Sequence, residues 1–194
     1  MGRLEEKWLY GFAEKISANK DEYEVVQYGL HQSVLIMVNF LSILICGAFW
    51  GELLFSLLLF MVIFFLRPYA GGYHADTELR CYMISVGAMN AAMFLRKSVT
   101  ISITIEMVMY IGAVLYIWIN APLENPQNEL EEIEIEEYSR KANQILLVCS
   151  LLTGLSLYFK NRLFLDANYY GIIIVATAVL TGKWKYKKKS LPTI

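Results

Sequence analysis

The run Arg67–Cys81, RPYAGGYHADTELRC, is a polar island between two uncharged apolar stretches, Leu53–Leu66 and Tyr82–Leu95. It places one histidine seven positions before one cysteine. On a single straight helix His74 and Cys81 would share a face but stand about 10.5 Å apart along the axis. A thiol and an imidazole that exchange a proton need about 3 Å, so the chain must break between them. Gly71 and Gly72 can turn it before His74, and Asp76 or Thr77 can cap a helix that starts near Cys81. A cysteine in a first helical turn meets free N–H groups and the positive end of the helix dipole, and both favour the thiolate. Arg80 adds positive charge beside it.

Outward from the island the chain reads as membrane. Apolar residues make up 57% and charged residues 18%, against roughly 25% charged in soluble domains. Apolar runs cover Ser33–Trp50, Leu53–Leu66, Tyr82–Leu95, Ile101–Asn120, Ala142–Phe159 and Ala167–Gly182. They predict an all-α polytopic membrane protein of about six transmembrane or membrane-embedded helices. The second and third runs are short against a hydrocarbon core of about 30 Å. Arg67 and Arg80 can snorkel beside them, which draws the island toward the hydrocarbon boundary. A four-span arrangement with those two runs partly inserted is the alternative.

The stripe Trp8, Leu9, Phe12, Ala13 and Ile16 predicts an amphipathic N-terminal helix in region 1–32, lying at the bilayer interface or against the protein's own surface. Met1–Gln32 has no apolar core of the kind a signal peptide needs. The whole of 1–194 is expected to form one membrane-embedded domain, with 183–194 as a basic cytosolic tail. A formal net charge of −1 conceals segregation: seven acidic residues lie in Glu124–Glu137 and five lysines in Lys183–Lys189. Lysines directly after the last span argue for a cytosolic C-terminus. With six spans that side also holds the island, while Arg96–Lys97 and Lys160–Arg162 fall outside, against the positive-inside tendency. The charge pattern gives no case for nucleic-acid binding.

Cys46, Cys81 and Cys149 form no Cys-x-x-Cys pair. Cys46 and Cys149 sit inside apolar runs and read as packing residues, whereas Cys81 is placed for chemistry. Asp76 or Glu78 could orient the imidazole as the third member of a catalytic triad does. The Gly71–Gly72 amides could serve an oxyanion, and close packing accounts for these glycines equally well. The spacing matches no standard metal site, and no cofactor is expected. His31 reads as an interface histidine. Glu106, near the start of the fourth run, could reach the headgroups or pair with Arg96 or Lys97. Two non-peptidase readings stand beside catalysis: a small peptide exporter built on Glu106 and small-residue helices, and a scaffold recruiting a basic partner through the acidic stretch 129–137.

The island resembles the signature of the accessory gene regulator protein B (AgrB) family, membrane peptidases of Gram-positive quorum sensing, at Arg67, Ala70, Gly71, Gly72, His74, Ala75 and Cys81. YGLHQSV at Tyr28–Val34 and APLENP at Ala121–Pro126 support the likeness, whereas the strongly acidic Glu129–Glu137 stretch is less typical. The resemblance implies a membrane cysteine endopeptidase acting on a small membrane-associated pro-peptide like the one called AgrD. Cys81, assisted by His74, would remove the C-terminal tail through an acyl-enzyme thioester, and an internal Cys or Ser of the substrate would close a thiolactone or lactone. Small-residue helix surfaces and the resemblance both permit a homodimer, and the topology read from the tail lysines sets the site on the cytosolic side of the cell membrane.

Overall fold

The computed structural model describes residues 20–124 and 131–189. Residues 1–19 of the amphipathic region expected over 1–32, the middle of the acidic stretch and the last residues of the basic tail lie outside them, while 20–32 open the first described helix. Among the described residues six helices follow in order: α1 (Lys20–Trp50), α2 (Leu53–Ala70), α3 (Glu78–Ser98), α4 (Ile103–Asn120), α5 (Glu132–Tyr158) and α6 (Arg162–Lys189). Each of the six apolar runs lies essentially within one helix, and most helices extend well past their runs. Four of the helices are long and apolar enough to cross a bilayer: Val25–Trp50, Leu53–Ala70, Ile103–Asn120 and Arg162–Lys187. The protein is an all-α, multi-pass membrane protein, and among the described residues one isolated parallel bridge, Gly71 to Leu123, is its only β-type pairing.

The chain divides into two compact units, Met1–Ser42 and Ile43–Ile194, with the boundary inside α1. In the first, the Ser33 and Ser42 hydroxyls donate to the carbonyls of Gly29 and Val38 at 2.7 and 2.8 Å. Such back-bonding lets a polar side chain sit on an apolar helix without an unpaired proton.

The second unit holds the core. α1 stops at a Schellman turn in which Gly51 N–H donates to Ala48 O and Glu52 N–H to Gly47 O, at 3.0 and 2.7 Å. Gly51 supplies the left-handed φ of 68° that this turn requires. α5 ends the same way, with Lys160 at φ 54° and Asn161 N–H donating to Ser156 O at 2.8 Å. The Asn161 side chain then accepts from Phe164 N–H at 3.4 Å and opens α6. α6 is the central helix, packing against α2, α4 and α5 through Ile172, Val175 and Val179, all fully buried. Outward side chains such as Phe49, Ile119 and Leu151 remain exposed, as a lipid-facing surface requires.

Because successive helices reverse direction, the unit has two chemically different ends. At one, α2, α3, α4 and α6 contribute a continuous chain of ion pairs. Arg96 bonds to Glu52 and, at 2.9 Å, to Asp166; Asp166 meets Arg162 at 3.1 Å; Arg162 grips Glu106 through two contacts of 2.9 Å. The sequence-based choice of Arg96 or Lys97 as the partner of Glu106 is therefore corrected to Arg162. Arg96 is drawn away by two carboxylates, and Lys97 donates to Trp50 O. Three carboxylates thus face Arg96 and Arg162 at this end, which also carries Lys97 and Lys160.

Removing a buried partner strands the opposite charge, at about 3–5 kcal/mol. Arg96→Met is expected to lower the denaturation midpoint in detergent more than Arg162→Met, since the Arg162 side chain is 51% exposed and that of Arg96 only 18%. Equal midpoints for the two variants would contradict this ordering.

Candidate active site

The opposite end carries the island. Pro68 has no N–H to donate, and α2 closes two residues later. Gly71 takes φ 67° and ψ −154°, a region open essentially to glycine alone, and directs the chain across the helix ends. There it pairs with the Ala121–Leu123 segment: Leu123 N–H donates to Ala70 O at 3.0 Å. Two residues after Gly71, Tyr73 N–H donates to Ala178 O of α6 at 2.7 Å. Arg67 folds back from the last turn of α2 and donates to both Gly71 O and Tyr73 O, so two carbonyls that leave the helix ladder are satisfied by one guanidinium.

The expected break between His74 and Cys81 is present. α3 begins at Glu78, with Thr77 as its cap, accepting from Arg80 N–H at 3.3 Å. Cys81 is the fourth residue of the helix and its N–H is the first with an intrahelical partner, Thr77 O at 3.0 Å. The cysteine is half-buried and carries a free thiol. Arg67 lies within electrostatic reach of Cys81 and of His74. His74 stands at the surface, yet partial burial, then Arg67, then Lys185 hold its pKa below the ordinary histidine value.

The other sequence-derived candidates sort by their contacts. Asp76 takes the Lys185 ammonium at 2.6 Å. Glu78 and Arg80 are exposed in the first turn of α3. Gly71 N–H is given to Arg67 O at 3.2 Å, and a Cβ on Gly71 would lie 2.2 Å from Leu123 O, so its contacts are those of close packing. Cys149 is buried in the core between α5 and its neighbours. Among the described residues, no three His, Cys, Asp or Glu side chains are grouped as a metal would require.

Sequence reasoning missed the face of α6 that holds the island. It ended the last apolar run at Gly182 and treated the following lysines as tail, whereas α6 continues to Lys189. Ala178, Gly182, Lys185 and Tyr186, at i, i+4, i+7 and i+8, therefore share one helical face. A Cβ at Gly182 would sit 2.5 Å from Tyr73 N and 2.7 Å from Gly72 C, both backbone atoms. Gly182→Ala is expected to push α6 off the island and cut activity at least tenfold while the helix content by circular dichroism is retained. Unchanged activity would contradict this contact.

Compared with known proteins, residues 6–183 match the family model described as accessory gene regulator B. The chain is 28% identical over 148 residues to protein FsrB of Enterococcus faecalis, a match covering 74% of this chain and 59% of FsrB. It is 21% identical over 175 residues to AgrB-like protein 1 of Clostridium perfringens, covering 89% of this chain and 91% of that protein. AgrB-like protein 2 of the same organism is 27% identical over 111 residues, or 55% of this chain and 52% of the relative. The matches thus take in between about half and nine-tenths of these relatives' lengths. No solved structure matches.

Proposed function

Since the chain belongs to the accessory gene regulator B family, we propose that it is a membrane cysteine endopeptidase that trims and cyclises a peptide-pheromone precursor resembling AgrD. The observation that carries this reading is the helix break between His74 and Cys81, with Arg67 within electrostatic reach of both.

In this mechanism the Cys81 Sγ attacks the carbonyl carbon at the junction between signal and tail, and His74 accepts the thiol proton. The C–N bond breaks, His74 delivers the proton to the departing tail amine, and the signal portion stays on Cys81 as a thioester. An internal thiol or hydroxyl of the substrate then attacks the same carbon. The new C–S or C–O bond closes the ring, the bond to Cys81 breaks, and the substrate's proton returns to the enzyme thiolate through His74. No water is consumed, and the N-terminal leader remains attached. Intramolecular proximity favours closure over hydrolysis.

The island end faces the cytosol in this reading. Lys183, Lys185 and Lys187 lie at that end, directly after the last apolar run.

Co-expression with the pro-peptide encoded beside its gene, followed by intact-mass analysis, tests the reading. The expected product equals the pro-peptide minus the tail; a product heavier by one water would mean hydrolysis without ring closure. An unprocessed pro-peptide would overturn the assignment. The rate is also expected to fall on acidification, as His74 becomes protonated and loses its capacity as a base. Because the His74 pKa is lowered, activity should persist to more acidic pH than an ordinary histidine would allow. A flat profile through the histidine range would contradict a histidine base.

A further inference from the structure

Two consecutive residues of α6 hold the backbone of His74 from both sides. The Tyr186 hydroxyl accepts from His74 N–H at 3.4 Å and donates to Gly72 O at 3.2 Å. The Lys185 ammonium donates to His74 O at 2.9 Å and to the Asp76 carboxylate at 2.6 Å, and it lies 4.9 Å from the centre of the Tyr73 ring. Every polar backbone atom of His74 is thus engaged by α6, through side chains beyond residue 183, where the family match ends.

We propose that Lys185 and Tyr186 are positioning residues for His74, forming a brace that fixes the imidazole's backbone relative to Cys81 and sets its charge environment. The proposal rests on the Cys–His reading above. A histidine in a glycine-rich connection has no helix or sheet of its own to orient it. Its backbone must be fixed from outside if the ring is to meet a thiol repeatedly, and a misplacement of about 1 Å can cost on the order of 100-fold in rate.

The brace is within reach because Gly182, one turn earlier on the same face, lets α6 approach the island backbone closely. The two members act differently. Tyr186 is neutral and works through hydrogen bonds. Lys185 brings a positive charge, which, with Arg67 from α2, favours the neutral, base-competent imidazole; Asp76 opposes it by pairing with the ammonium.

The chain has two histidines, His31 and His74, so NMR of isotopically labelled histidine in nanodiscs, assigned with His74→Ala, follows His74 without any substrate. Lys185→Met is expected to raise the His74 titration midpoint and move the acid limb of processing to higher pH, whereas Lys185→Arg restores both toward wild type. Tyr186→Phe, which keeps the ring but loses the hydroxyl, is expected to lower kcat about tenfold with KM and the His74 midpoint little changed. A His74 midpoint unmoved by Lys185→Met, or a wild-type kcat in Tyr186→Phe, would overturn the brace. Tail release that persists in both Cys81→Ala and His74→Ala would instead defeat the underlying Cys–His reading, a result distinguishable from loss of the brace alone.

Discussion

Cys81→Ala is expected to abolish tail release, with a fall of at least about 10⁴-fold, because removing the nucleophile of a covalent mechanism leaves only binding and electrostatic stabilisation. His74→Ala is expected to cost about 10²–10⁴-fold, the range of a lost general acid–base. Combining the two should cost little more than Cys81→Ala alone, since a base has no thiol to activate once the thiol is gone. Cys46→Ser and Cys149→Ser serve as specificity controls: Cys46 lies in α1 and Cys149 is buried in the core. Tail release should survive in both. The measurement is the rate of tail release from the pro-peptide in nanodiscs, with thermal unfolding confirming that each variant is folded.

Gly71→Ala is expected to have the largest effect on activity of any substitution outside the reacting pair. Two penalties coincide there. The backbone occupies φ 67° and ψ −154°, where a side chain costs of order 1–3 kcal/mol. The new methyl group would also lie 2.2 Å from Leu123 O and 2.8 Å from Leu123 N, both atoms of a backbone segment with little freedom to retreat. Relief requires the Gly71–Leu123 bridge to open, which frees the Arg67 contacts at Gly71 and Tyr73 and lets the His74 segment drift. Activity should fall at least about 100-fold, with a loss of stability of roughly 3 kcal/mol. Thermal unfolding and the processing rate should report both. Wild-type values for both would show that the island does not depend on this turn.

Much of this was legible in the sequence because apolar runs in a membrane protein carry strong length information. All six runs became helices, and the short third run, Tyr82–Leu95, became the core of a longer helix whose polar first turn holds Cys81. The helix break was readable from Gly71–Gly72 followed by Asp76 and Thr77, a turn pair and then cap residues, and Thr77 is the cap. Partner choice was not readable. Glu106 pairs with Arg162, 56 positions away, instead of the nearer Arg96, since Arg96 is already held between Glu52 and Asp166. The reach of α6 was hidden for a related reason. Lysines after an apolar run look like a solvated tail, and only the fold reveals that the helix continues and turns Lys185 and Tyr186 toward His74. APLENP illustrates the same limit, because Leu123 has no periodic pattern that would announce a single bridge to Gly71.

A thioester made from an amide is uphill, so departure of the tail and ring closure must draw the reaction forward, and the intermediate should be scarce with a normal substrate. The central claim is best tested by blocking its escape: a pro-peptide whose internal nucleophile is replaced by Ala, incubated with the full-length protein and followed by peptide-resolved mass spectrometry. The account predicts the signal portion on Cys81, released by hydroxylamine, with Cys46 and Cys149 unmodified. Tail release that leaves Cys81 unmodified throughout and continues in the Cys81→Ala protein would contradict it.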